Sequence, residues 1–225
     1  LQNGTPHAIE TSLTIYNIFV DLNVDIHTHL DFSNISCNIL NPNQEISESY
    51  LKLVEVLINP KPCSKETVST DEDHIQALIP QIQYYLDELI KNGILNSLNE
   101  VLVHGIHTHK ILAIRIVKRI AKIMNVEIFD QILQSTLLSS ALDLLESKDF
   151  SIARYSLKFL YMFMSKCNED QRMAIVQNQI NEDIMETFAE IVNETPNSED
   201  EDLKNLGNVT ESLMKMIEDI LKDNA

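Results

Sequence analysis

Asn92-Gly-Ile-Leu-Asn-Ser-Leu98-Asn-Glu-Val-Leu102, a break at Gly105, and Ile111-Leu-Ala-Ile-Arg-Ile-Val-Lys-Arg-Ile-Ala-Lys-Ile123 form the stretch that decides the fold. Its apolar residues recur at helical intervals, and the glycine separates two such segments. The layout returns at Leu137-Leu-Ser-Ser-Ala-Leu142-Asp-Leu-Leu145, a Ser147-Lys-Asp149 turn, and Ile152-Ala-Arg-Tyr-Ser-Leu-Lys-Phe-Leu-Tyr-Met-Phe163. Weaker copies run from Tyr50 to Leu57 with Ile75–Ile90 following, and from Asp183 to Val192 with Leu203–Leu221 following. The apolar anchors Leu57, Leu102, Leu145 and Val192 stand 45, 43 and 47 residues apart. The tetrapeptide Ile26-His-Thr-His29 recurs at Ile106–His109, 80 residues on, which is twice a period of roughly 40 residues. Such a period belongs to stacked helical repeats.

Composition agrees with an all-α chain. Among 225 residues there are 4 Gly, 6 Pro and no Trp, too few turn residues to punctuate many short strands. The net charge is −17, and from Asn181 onward 13 acidic residues face 3 basic ones. A nucleic-acid backbone would be repelled by that balance, so a nucleic-acid partner is not expected. Three cysteines, Cys37, Cys63 and Cys167, show neither a disulfide framework nor zinc-ligand spacing, which points to a reducing compartment. Four Asn-x-Ser/Thr sequons, at Asn3, Asn34, Asn193 and Asn208, point the other way, toward an endoplasmic-reticulum lumen as the alternative to the cytoplasm. No apolar run approaches the roughly 18 residues of a membrane span. Because the chain begins on Leu1, a piece of a longer protein is expected.

The repeat units resemble those of the armadillo family. Leu144-Leu145, Asp149, Ile152 and Ser156 fall on that family's pattern, as do Val101-Leu102 and Ala113 one unit earlier. The resemblance implies a right-handed α-solenoid of about four to five armadillo/HEAT-like repeats covering residues 1–225 as one domain. Polar insertions are expected near 59–73 and 195–202. Gly93 and Gly105 are read as left-handed helix caps, and Asn125 as a cap for the helix ending at Met124. Pro80 should kink or divide the segment Ile75–Ile90.

Two constellations are candidates for function. The histidines His104, His107 and His109, with His27 and His29 earlier, could suggest a metal. Only His104 and His107 have same-face spacing, and no nearby cysteine or acid completes a zinc set, so a polar turn is preferred and neither metal nor cofactor is expected. The cations Lys110, Arg115, Lys118, Arg119 and Lys122 lie in a segment without acids. Positions 115, 118, 119 and 122 form one helical stripe, with Ile111, Leu112, Ile114, Val117 and Ile120 or Ile123 opposite. The plain alternative is a solvated face paired with acidic neighbours. By the resemblance, that third helix lines a concave groove and the stripe would meet an acidic partner segment. Charge reversal at Arg115 and Arg119 is then expected to weaken binding without unfolding the chain. Armadillo proteins that hold extended basic peptides use Trp and Asn on successive third helices; this chain has no Trp, and the corresponding Asn positions read approximately Arg119 and Met162, so carriage of nuclear-localisation signals is not expected. The apolar run Phe159–Phe163 reads as core.

There is no phosphate loop, nucleophile elbow or H-E-x-x-H motif, so catalysis is not expected. The resulting reading is a non-catalytic scaffold or regulatory module that binds a protein in a solenoid groove. The resemblance leaves three kinds open: a small-GTPase-binding regulatory domain of a formin-type actin regulator, a nucleotide-exchange factor or co-chaperone, and an adaptor subunit. A metal-dependent enzyme is the reading from another class.

Overall fold

The structure, a computed structural model, describes residues 7–8, 11–12, 30–59, 71–147, 149–195 and 201–222. From residue 30 onward these form eleven α-helices and one 3-10 turn, with no strand among the described residues. The chain is all-α. The expected insertions near 59–73 and 195–202, the first Ile-His-Thr-His, and Cys63 fall largely or wholly outside the described residues.

The chain divides into two compact units, Leu1–Ser135 and Thr136–Ala225. The first holds α1 (Phe32–Asn38), α2 (Gln44–Ile58), α3 (Asp71–Lys91), α4 (Ile94–His104), α5 (His107–Ile123) and α6 (Val126–Gln134). Here α5 packs on both α2 and α4, while α3 lies against α1, α2 and α4. The second holds α7 (Leu137–Asp143), the 3-10 turn Leu144–Ser147, α8 (Phe150–Lys166), α9 (Glu169–Gln179), α10 (Glu182–Glu194) and α11 (Glu201–Lys222). In it α11 packs on α8, α9 and α10, and the 3-10 turn joins α7, α8 and α10.

A chain so poor in glycine still starts its helices sharply. The device is the amide or carboxylate cap. Asp31, Asn43, Asn125, Asp149, Asn168 and Asn181 each precede a helix and accept a hydrogen bond from a backbone N–H of its first turn. Those N–H groups have no partner within the helix, so each cap stabilises its start by about 1 kcal/mol. At α9 the arrangement is reciprocal: Asn168 accepts from the Gln171 N–H at 2.9 Å, and the Asn168 N–H donates to Gln171 Oε1 at 2.9 Å.

Two of the expected caps are corrected. Asn125 does not end α5 in a left-handed turn; it sits in extended backbone at φ −85° and opens α6 by accepting from the Ile128 N–H. Gly105 is likewise extended, at φ −67° and ψ 159°. Its requirement for glycine is steric, since a Cβ there would stand inside normal contact with the Val101 carbonyl oxygen. Gly93 does adopt the left-handed region, at φ +83°, and turns the chain from α3 into α4. Pro80 lies inside α3 without dividing it, and α3 already begins at Asp71, within the stretch expected to be loop.

The core follows the anchors closely. Leu57, Leu102 and Leu145 are buried, but at the fourth anchor Ile191 is buried and Val192 only half-buried. Phe159, Leu160 and Phe163 are buried, with the two phenylalanine rings 5.8 Å apart, while Tyr161 reaches the surface. In the first unit Phe32 meets Tyr84 edge-on at 6.3 Å and Tyr85 at 6.1 Å, tying α1 to α3.

Candidate functional site

All four cations of the expected stripe, and Lys110 before them, lie on α5. The buried side of α5 is a broad arc made of His109, Ala113, Ile114, Ile116, Val117, Ile120 and Ala121. Arg115, Lys118, Arg119 and Lys122 lie outside that arc, as the spacing requires. Ile111 and Leu112, expected to pack inward, are only half-buried. The arc is wide because α5 is covered by two helices, α2 and α4.

Two of the cations are committed to that packing. Arg115 donates to Glu55 Oε1 of α2 at 2.5 Å. Arg119 Nε donates to the Ile58 carbonyl, at the end of α2, at 3.1 Å. That carbonyl is in the last turn of α2, which lacks a basic residue of its own, so the guanidinium also meets the negative end of the helix dipole. Burial pushes Arg119 down from the usual arginine value. Lys110 Nζ donates to the Val103 carbonyl at 3.1 Å, bracing the turn between α4 and α5. Charge reversal at Arg115 or Arg119 therefore disturbs how α5 sits on α2, whatever it does to a ligand.

What the structure assembles at the other end of α5 was not visible in the stripe. The turn after α1, the start of α2 and the α4–α5 turn line an open cavity of about 350 Å³. Ile39, Val101 and Ile106 give it apolar wall, and Asn41, Gln44 and Glu100 give it polar edges. Leu40 and Ile106 line it while remaining 46% and 41% exposed. Val103, also exposed, stands in the last turn of α4.

His109 lies at the back of this cavity and is buried. Its Nδ1 is 3.3 Å from Ser47 Oγ, and that hydroxyl stands 2.6 Å from the Ile39 carbonyl. A carbonyl can only accept, so the Ser47 proton goes to Ile39 and Ser47 Oγ accepts from Nδ1–H of His109. Serine is thus fixed as an acceptor and is not poised as a nucleophile. The other ring nitrogen, Nε2, is buried with no hydrogen-bond partner among the described residues. One signal could have found this histidine: it sits in register with Ala113, Ile116 and Ile120 on the apolar side of α5.

Of the neighbouring histidines, His104 of α4 also lines this cavity. His104 is exposed and 3.8 Å from Glu100, and His107 is exposed. Among the described residues no group of three or more His, Cys, Asp or Glu could hold a metal ion. No described helix is long and apolar enough to cross a membrane. No protein-family model and no curated protein sequence matches the chain.

Proposed function

We propose that this chain is a non-catalytic protein-interaction module, with armadillo-like helical repeats as its architecture and the cavity at the α4–α5 turn as a docking point. The observation that carries the reading is that cavity, where two large apolar side chains, Leu40 and Ile106, stand exposed beside polar edges. Water-exposed apolar side chains gathered at a concave site favour an occupant that covers them. Polar groups at the rim, Asn41, Gln44 and Glu100, can fix its orientation. The helical architecture supports the repeat reading, as do the buried anchors Leu57, Leu102 and Leu145 at near-constant spacing. The hydrogen bonding of Ser47 and His109 speaks against nucleophilic catalysis at the same cavity.

The test is a selection of peptides from a random display library against the whole chain, followed by binding to Leu40→Asp/Ile106→Asp. Both side chains are already partly solvated, so this variant should unfold at nearly the same temperature as the parent. Selected peptides that lose about tenfold or more in affinity support the proposal, a change of about 1.4 kcal/mol. Peptides that all bind the variant unchanged, or no enrichment over a folded helical control protein, refute it.

A further inference from the structure

The second unit carries another concavity, between the start of α8 and the end of α10. Its volume is about 280 Å³. Leu145 of the 3-10 turn, Ala153 of α8 and Ile191 of α10 form its floor. Phe150, the first residue of α8, forms one lip and is 42% exposed. Glu190 and Glu194, one helical turn apart and exposed, form the other.

The two lips differ in chemistry, and the acidic one breaks a local rule. A helix C-terminus carries partial negative charge from its unbonded carbonyls and favours cations. Yet α10 ends on Glu194, with Glu190 one turn before and no basic residue in its last turn. Neither glutamate makes an ion pair within the described residues. Surface glutamates could be displaced from a helix end at no cost to packing, so their position beside an apolar floor marks a surface shaped by something other than α10's own stability. The rest of α10 deepens the effect, since Glu182, Asp183 and Glu186 add to Glu190 and Glu194 with no cation on the helix.

We propose that this groove docks a segment of a partner protein that presents an apolar side chain next to lysine or arginine. The apolar side chain rests on Leu145, Ala153 and Ile191 against the Phe150 ring. The cation lies over Glu190 and Glu194 and meets the carbonyl end of α10. Such a segment removes the exposed phenylalanine from water and supplies the positive charge that the helix end lacks. An acidic or purely apolar segment does only one of these or neither. The groove shares no lining residue with the cavity at the α4–α5 turn.

The experiment uses the same random peptide library selected on the whole chain, screened against two charge reversals of equal size. One is Glu190→Lys/Glu194→Lys. The other is Glu182→Lys/Glu186→Lys, which changes exposed acids on the same helix outside the groove. The expected result is a class of peptides with Lys or Arg adjacent to a large apolar residue. These bind Leu40→Asp/Ile106→Asp as they bind the parent, weaken with added salt, and lose about tenfold or more on the groove reversal. They should change by no more than about threefold on the control reversal, where only the general field is altered. The proposal is overturned if no such class is enriched, or if both reversals weaken it equally. It is also overturned if the chain self-associates through this groove, seen as a concentration-dependent dimer that Phe150→Ser abolishes.

Discussion

Helix α11 makes a close approach at Gly207 to Thr195, the residue that follows α10, and that contact gives a quantitative prediction. A Cβ placed on Gly207 would lie at 3.0 Å from Thr195 Cβ and well inside contact with Thr195 Oγ1. Thr195 is buried, and its hydroxyl donates to the Ile191 carbonyl at 2.9 Å. It has no long side chain to swing aside, so Gly207→Ala must push the helices apart. In an open helix the same substitution stabilises by about 1 kcal/mol, because alanine forms helix more readily than glycine. Overpacking a fitted contact costs about 1–3 kcal/mol. The balance is a net loss of about 1 kcal/mol, or about 2–4 °C in Tm for a chain of this size. Thr195→Ala removes the oxygen and leaves one tight Cβ contact, at the expense of a buried hydrogen bond of about 1 kcal/mol. In that background Gly207→Ala should be neutral or stabilising, so the two substitutions should couple by at least about 1 kcal/mol. Urea unfolding of the four proteins, followed by far-ultraviolet circular dichroism, measures the coupling. If Gly207→Ala alone stabilises the chain by about 1 kcal/mol, the close approach is wrong and the reasoning with it.

The α2–α5 contact yields a second pair of expectations. Arg119→Met should lower stability by about 1–2 kcal/mol by leaving the Ile58 carbonyl without its charged donor, read from the same urea midpoints. Glu55→Ala and Arg115→Ala should be non-additive by about 1 kcal/mol, and additivity would mean that no effective pair forms. For the cysteines, burial pushes the Cys167 thiol up to about 11, so it stays protonated at pH 8 and is shielded from reagent. In a Cys63→Ser background, exposed Cys37 should alkylate in the native protein and Cys167 only after unfolding, as mass spectrometry of timed samples would show.

Helix identity was legible because apolar residues at helical spacing need no knowledge of neighbours, and Leu57, Leu102 and Leu145 are buried as that spacing requires. Boundaries were less so. Asn125 was open to two roles, helix stop or helix start, and the choice depends on whether its own backbone is left-handed or extended. The scarcity of glycine points to helices, while Asn and Asp at their starts take a role that composition alone does not display. At the stripe, the period correctly put Arg115 and Arg119 on one side of α5. It could not say that α2 lies close enough to take both, because Glu55 and Ile58 are some sixty positions away in sequence. The cavity in front of His109 has the same character, since it needs Ser47 and Ile39 brought beside the α4–α5 turn. Such sites are made by contacts between distant segments, which no local pattern records.

The burial of threonine near α11 also changes how one short sequence pattern is understood. Asn193-Glu-Thr195 and Asn208-Val-Thr210 have the form of glycosylation signals. In the folded chain both threonines are buried, and each hydroxyl is turned back onto the carbonyl four residues earlier, Ile191 and Leu206. Threonine suits these places because it is small, branched, and able to satisfy its own hydroxyl within the helix. The asparagine two residues before is exposed in each case. A packing demand and a solvent-facing amide, each sufficient on its own terms, thus spell the tripeptide together without reference to any sugar.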